Sequence, residues 1–337
     1  MSETLRFFED NKESYGVEFV DDLSDAQIIL SRDSFSVFWW SEKGDEQGAE
    51  IIEIGLPAVS YATSRYYYRR LNYGFGKITE IMSHSMKTVI LLGTAIASVG
   101  AVFYFSEPIP QDLAYHQFAD QRKYLGVPNF FNVISNLAFI IIGIYCLFSL
   151  VPHKQSNGEI SAKNTGYIFF IGLILTGVGS GYYHLSPTNQ TLALDRLPMA
   201  IAFMALLSFF LSEHINTRVG SRLLWPLLAL GIFSVLYWIY TENRGAGDLR
   251  LYALVQFLPV LLIPLIIVLF PSDNYQKKYL LYIIGLYALA KVSEHYDHEI
   301  MNLLSISGHT LKHIFASLTG IAFLRIILST RGTEKPV

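Results

Sequence analysis

Apolar and polar positions divide the chain into two unlike parts that meet between residues 83 and 87. The first part mixes polar and apolar residues, and turn signals rich in Asp, Ser and Gly separate its short apolar runs. This pattern predicts a small α+β module over residues 1–84, and no motif in it indicates a function. The expected strands are residues 17–20, 26–30, 36–40 and 50–56, and the expected helices are residues 2–14 and 58–72.

From residue 87 onward, apolar stretches of about 20 residues, the length that crosses a bilayer, follow one another. Composition supports this reading, because 52% of the residues are apolar and only 16% are charged, outside the range of soluble domains. We predict an all-α polytopic membrane bundle: a seven-helix core over residues 112–328, one extra span within residues 85–106, and a tail over residues 329–337. The expected crossings are 87–105, 130–151, 165–184, 196–214, 222–240, 251–270, 279–294 and 308–328.

Lysine and arginine are distributed unequally between the two sides of this bundle. Fourteen lie on the side that the N-terminus shares with the ends of the even-numbered crossings, against five on the other side. Cytoplasmic loops carry the excess of cations, so both termini are expected in the cytoplasm. The start of the chain lacks a basic region followed by an apolar run, and no signal peptide is predicted. The five cations of the other side are Arg122, Lys123, Arg196, Arg244 and Arg250.

Charge and cysteine content exclude two classes of site. The net charge is -3 and no dense Lys/Arg block is present, so no nucleic-acid partner is expected. The single cysteine, Cys146, permits neither an intrachain disulfide nor a thiolate cage. Any metal must therefore be bound by nitrogen and oxygen.

Ionisable residues gather where the predicted crossings end on the non-cytoplasmic side. Such residues are costly in a membrane and mark functional sites by default. His184 ends the third crossing and Asp195 opens the fourth. The others are His295, Asp297 and His298 at the end of the seventh crossing, and His309 and His313 at the start of the eighth.

The spacing of these residues favours a metal site. Ser180 and His184 are four residues apart, as are His309 and His313, so each pair shares one helix face. Three imidazoles with one open position are typical of catalytic zinc. Asp195 is then a fourth contact or a base beside the bound water, and Ser180 a hydrogen-bond partner of that water or of the developing oxyanion.

Each residue also has a simpler interpretation. Ser180 lies in a run of small residues that favours helix packing, Asp195 could cap a helix that begins at Arg196, and a single histidine at a helix end is usually interfacial. One metal ion accounts for all five residues at once. The remaining histidines, His84, His116, His153 and His214, are expected to have no part in the site.

The runs GSGYYHLSPTNQTLALDRLPM and SGHTLKH resemble the alkaline ceramidase family, part of a seven-helix membrane hydrolase superfamily that includes adiponectin-receptor-like proteins. The resemblance covers roughly residues 112–328. It implies zinc bound by His184, His309 and His313, with Asp195 and Ser180 beside the bound water. It also implies hydrolysis of the amide of ceramide to sphingosine and a fatty acid.

Other positions resemble the bacterial ceramidase-like branch of that family. Asn129 stands where the family has an acidic calcium ligand, so the sequence does not support a calcium site. Asn132 lies in a stretch similar to the family's first-helix motif. The residues expected to orient the zinc ligands are His295, Asp297, Glu294, Lys291, Arg122 and Asn132. Glu294 and Asp297 are expected to pair with Lys291 or Arg122. The alternative is a second metal site formed by His295, Asp297 and His298.

Three functions are consistent with this pattern. The first is a zinc-dependent amidase that acts on ceramide or a similar long-chain N-acyl lipid. The second is a receptor-like or lipid-binding membrane protein with a structural zinc. The third is an ester-cleaving, phospholipase-like hydrolase, because activated water serves an ester as well as an amide.

Overall fold

The computed structural model describes the backbone of residues 29–30, 35–43 and 46–54, and then residues 82–151, 162–272 and 278–329. The chain divides into two compact units, Met1–Ile81 and Met82–Val337.

The first unit contains a three-stranded antiparallel sheet in the order β1-β2-β3. Strand β1 is Ile29–Leu30, β2 is Phe35–Lys43 and β3 is Glu46–Ile54. Lys43 pairs with Glu46, so both strands extend to their connection, and β3 begins four residues before its predicted start. The predicted strand 17–20 and both predicted helices lie outside the described residues, so the α+β class of this unit stays a prediction.

The second unit is helical and its long helices follow the predicted crossings. The helices are α1 His84–Phe105, α2 Phe130–Ser135, α3 Leu137–Leu150, α4 Ala162–Leu185, α5 Asn189–His214, α6 Thr217–Glu242, α7 Arg250–Leu269, α8 Lys278–His295, α9 Asp297–Leu304 and α10 Gly308–Ser329. A short 3-10 helix, Leu113–His116, follows α1. Among the described residues, seven stretches are long and apolar enough to span a membrane: α1, α2 together with α3, α4, α5, α6, α7 and α10.

Helix α8 corresponds to the predicted crossing 279–294 but is not among those seven, because its 18 residues include Lys278, Lys291 and Glu294. The chain leaves α7 at the end of the bundle where α5 finishes, because the Phe270 carbonyl accepts a hydrogen bond from the ring of His214, the last residue of α5. The last turn of α8 lies at the opposite end, where Glu294 pairs with Lys312 in the first turns of α10. The chain therefore traverses the bundle through α8.

The start of α5 differs from the prediction. The helix begins at Asn189, seven residues before the predicted crossing, and Thr188 caps it in a reciprocal hydrogen-bond pair with Thr191. Asp195 consequently lies inside the helix, on its second turn. The interpretation of Asp195 as a helix cap is wrong, because Thr188 already satisfies the free amides at that end.

Helices α4 and α5 approach closely through Gly179. A Cβ atom at this position would overlap the backbone carbonyl of Leu194, so the contact requires a residue without a side chain. Nearer the middle of these helices, the rings of Phe170 on α4 and Phe209 on α5 both pack against the ring of Phe323 on α10. This packing brings the end of α4 against the starts of α5 and α10.

Candidate metal centre

Three buried histidines converge at the end of the bundle where α4 finishes and α10 begins. The ring centroids of His184 and His309 lie 4.9 Å apart, those of His184 and His313 5.0 Å, and those of His309 and His313 4.9 Å. One ligand atom from each ring lies within 4.8 Å of the others. The structure thus brings together the three predicted ligands from distant parts of the chain.

Burial and hydrogen bonding show that a metal fits this cluster. The exposed fractions of the three side chains are 0% for His184, 5% for His309 and 2% for His313. Neither ring nitrogen of His184 has a hydrogen-bond partner within the protein, and a buried polar atom without a partner is costly. Three neutral imidazole nitrogens form a donor set suited to zinc, so coordination would satisfy one nitrogen of His184.

Ser135, at the end of α2, orients His313. Its hydroxyl lies 3.1 Å from the Asn132 carbonyl oxygen and 2.8 Å from Nδ1 of His313. The direction of the hydrogen bond between the hydroxyl and Nδ1 follows the tautomer of His313. With a metal on Nε2, Nδ1 would carry the proton and the Ser135 hydroxyl would accept from it.

Asn132 joins α2 to the start of α10. Its side chain is fully buried, and its Oδ1 accepts hydrogen bonds from Ser307 at 3.1 Å and Thr310 at 2.8 Å. Its Nδ2 donates to the Asp120 carbonyl at 3.4 Å. These contacts fix the turn that carries His309, the role expected for Asn132 on the basis of sequence.

Asp297 fixes the same turn from the other side. Its Oδ1 accepts from the backbone amide of His309 at 2.9 Å, and its Oδ2 accepts from that of Ala119 at 3.0 Å. A carboxylate that accepts an amide at a helix start is favoured by the helix dipole. Asp297 therefore links α9, α10 and the segment that precedes α2.

Arg122 pairs with Asp120 rather than with Glu294 or Asp297. Two bonds, 2.8 and 2.7 Å long, join its guanidinium to the carboxylate, and Nη2 also donates to the Ser305 carbonyl. Burial by itself would raise the pKa of the Asp120 carboxyl, but the hydrogen bonds and charge of Arg122 outweigh burial and hold that pKa below its usual value.

Ser180 and Asp195 are both buried, with exposed fractions of 2% and 7%. The hydroxyl of Ser180 interacts with the carboxyl of Asp195 across the contact between α4 and α5. Asp195 also interacts electrostatically with Lys312 and Arg196. The two residues thus act as a pair, an arrangement that the sequence had indicated only by their nearness to His184.

Lys312 and Tyr115 are site residues that the sequence analysis missed. Lys312 pairs with Glu294, and the hydroxyl of Tyr115 donates to the same carboxylate at 3.2 Å. Lys291 binds its second oxygen at 2.9 Å, as expected. A lysine inside a membrane helix, directly before His313, was a signal for Lys312. The segment from Tyr115 to Arg122 resembles the bacterial ceramidase-like branch, but that resemblance gave Tyr115 no role in the site.

His295, His298 and Asn129 complete the predicted set. The side chains of His295 and His298 are exposed, and the ring of His295 packs on Tyr296. Within the described part of the chain, His184, His309 and His313 are the group of side chains close enough to share a metal ion, and His295, Asp297 and His298 do not form a second one. The side-chain amide of Asn129 donates to the His184 carbonyl at 2.9 Å.

Comparison with known proteins places this site in a family. The model of the family described as Ceramidase matches residues 124–331, more than half of the chain. The chain belongs to the ceramidase family. The resemblance seen in the sequence is thereby confirmed.

A curated relative of this ceramidase-family chain is named "Putative alkaline ceramidase dcd3A" and comes from Dictyostelium discoideum. The two are 28% identical over 142 residues, which is 35% of this chain and 49% of the relative. The chain thus matches about half the length of that relative. The family match contains all three histidines, Asp195 and Lys312, and it begins after Tyr115, Asp120 and Arg122.

Proposed function

We propose that this protein is a zinc-dependent hydrolase that cleaves the amide bond of ceramide, or of a similar long-chain N-acyl lipid, to a fatty acid and an amine. The observation that carries the proposal is the convergence of three buried imidazoles, within 4.8 Å of one another, in a chain of the ceramidase family. The name of the Dictyostelium relative supports the same class of substrate.

His184, His309 and His313 would hold the ion. Zinc at such a site supplies a water molecule of lowered pKa and polarises the carbonyl to be attacked. Every other requirement falls on the side chains around it. Ser135 holds His313 in one tautomer, and Asp297 and Asn132 hold the turn that carries His309.

Proton transfer is assigned to Asp195. Its carboxylate is buried beside Ser180, where it can take a proton from the attacking water and return it to the leaving amine. Ser180 would fix the orientation of that carboxylate or donate to the developing oxyanion. An ester presents the same carbonyl to these groups, so the choice between amide and ester depends on the shape of the lipid site.

The proposal is tested by His309→Ala in the purified protein. We expect zinc content, measured by elemental analysis, to fall and hydrolysis of N-acyl lipids to disappear. His84→Ala is the matched control, because His84 is exposed and its ring packs on Phe270 at the opposite end of the bundle. A metal-free His309→Ala protein with full activity would refute the proposal, and cleavage of O-acyl lipids alone would replace the amide by an ester.

We further propose that the metal centre faces the non-cytoplasmic side and that both termini are cytoplasmic. The distribution of cations supports this orientation. Two cations at the metal-centre end are neutralised, since Arg122 pairs with Asp120 and Arg250 with Asp248. In a Cys146→Ser background, Leu303→Cys should react with an impermeant maleimide added outside intact cells, whereas Val219→Cys should not. The reverse labelling would invert the topology.

A further inference from the structure

Three cations lie together beside the metal centre and have too few carboxylates to neutralise them. Lys291 and Lys312 share the carboxylate of Glu294. Arg196 adds a third positive charge, and Asp195, with which it interacts, is the second negative charge. The group formed by Arg196, Lys291, Lys312, Glu294 and Asp195, the cationic cluster, therefore carries one excess positive charge.

Arg196 is the buried end of this cluster. Its exposed fraction is 8%, and its Nη1 has no hydrogen-bond acceptor within the protein. Its guanidinium lies 4.4 Å from the ring centroid of Trp238, 5.0 Å from that of Tyr252 and 5.6 Å from that of Tyr115. Aromatic rings stabilise the face of a guanidinium, but its N–H donors lie in the plane and still need acceptors.

Two other arginines at this end have carboxylate partners. Arg122 and Arg250 each make two side-chain bonds to one carboxylate, that of Asp120 and of Asp248 respectively. Burial of a cation without a paired anion costs free energy. The contrast marks Arg196 as a donor available to an anion that is not part of the protein.

Tyr115 connects Arg196 to the metal centre. Its ring packs under the guanidinium, and its hydroxyl donates to the Glu294 oxygen that also binds Lys312. Lys312 directly precedes His313, and Arg196 directly follows Asp195. The side chain of Lys291 is 38% exposed, so the cluster extends from the surface to a buried guanidinium beside the residues proposed for catalysis.

We propose that the cationic cluster is an oxyanion-binding subsite, and that the preferred substrate is an N-acyl lipid with a carboxylate or phosphate on its amine portion. The planar donors of Arg196 suit such a group. This inference rests on the proposed function. The carboxylate of the released fatty acid has the same chemistry and is the second possible source of the anion.

The first test compares two substrates of the unmodified protein. N-palmitoylglycine and N-palmitoylethanolamine share the acyl chain and the amide. The amine portion ends in a carboxylate in the first and in a hydroxyl in the second. One charge-assisted bond is worth about tenfold in affinity, so kcat/KM should be about tenfold higher for the glycine lipid. Arg196→Gln should lower kcat/KM for the glycine lipid about tenfold more than for the ethanolamine lipid, and Arg196→Lys should restore part of the preference.

The second test needs no turnover. Binding of radiolabelled palmitate and of hexadecanol is measured on wild type, Arg196→Gln and Lys291→Gln. Lys291→Gln is included because the Lys291 side chain is partly exposed, so its replacement should not disturb folding. Loss of palmitate binding by about tenfold, with hexadecanol unchanged, supports the subsite with the released acid as its source.

Failure of the inference and failure of the proposed function give different results. Equal kcat/KM for the two amides, together with palmitate binding that no variant weakens, overturns the subsite while hydrolysis stands. Equal losses on both amides in Arg196→Gln also overturn it, since they assign Arg196 to packing. If neither amide is cleaved, the proposed function fails. The effect of the variants on palmitate binding then shows alone whether the cationic cluster binds an oxyanion.

Discussion

Ser135→Ala should weaken zinc binding without unfolding the protein. The hydroxyl lies 2.8 Å from Nδ1 of His313, and with a metal on Nε2 it would accept from an Nδ1–H group. Without it, a buried N–H group loses its partner, at a cost of about 1–3 kcal/mol. In the metal-free protein the ring can change tautomer or turn to another acceptor, so most of this cost falls on the zinc-bound state.

This cost corresponds to a fall in zinc affinity of roughly 5- to 150-fold, which includes the 10- to 100-fold range usual for groups that orient metal ligands. Competition with a chromogenic chelator would measure the affinity. Thermal unfolding would be followed with and without zinc, and the melting temperature should drop mainly in the zinc-loaded protein.

Ser149→Ala is the matched control for this experiment. Its hydroxyl lies on the neighbouring helix α3, is exposed and donates to the Tyr145 carbonyl at 2.8 Å. We expect its zinc affinity to equal that of wild type. Unchanged affinity in Ser135→Ala, or an equal loss in both variants, would refute the assignment of the His313 tautomer.

Two further predictions concern stability. Gly179→Ala should lower the free energy of unfolding by about 1–3 kcal/mol, because the added Cβ overlaps the Leu194 carbonyl. Gly93→Ala, with no atom within 4 Å of its Cβ, should not. Equal melting temperatures of the two variants would contradict the close contact. Arg122→Gln should melt below wild type at pH 7. Since Arg122 lowers the pKa of Asp120, its stabilisation is present above the unfolded pKa of about 3.9 and is lost as pH falls through the lower folded value. The difference in melting temperature between wild type and Arg122→Gln should therefore shrink below about pH 4. Lys123→Gln should show no such trend. A difference for Arg122→Gln that stays constant with pH would count against the Arg122–Asp120 ion pair.

The helices and the histidine cluster could be predicted from the sequence because both depend on spacing. Long apolar runs define crossings in a membrane, and the interval of four residues places His309 and His313 on one face. Their approach to His184 followed from all three lying at helix ends on one side. The structure brings the three rings together and shows in addition that all three are buried.

The features that were missed depend on contacts between distant residues. Tyr115 has no periodic context, and it matters because its hydroxyl meets Glu294, 179 positions away. The start of α5 was misplaced because Thr188 and Thr191 cap it with two hydroxyls in place of the usual hydroxyl and carboxylate. Arg122 and Asp120, two residues apart, bond to each other although Glu294 and Asp297 carry the same charge.

Polar contacts at the metal-centre end explain how a membrane bundle keeps three imidazoles in register without a disulfide. Apolar contact between helices in a bilayer provides little driving force and does not fix their axial position. Here Asn132, Asp297 and Arg122 bind backbone or hydroxyl groups of segments up to 183 residues away. Each contact has a short range of acceptable distances, so together they specify the height at which α10 meets α2. If that height sets the ligand geometry, substitutions at these three residues should reduce zinc affinity more than they reduce helix content.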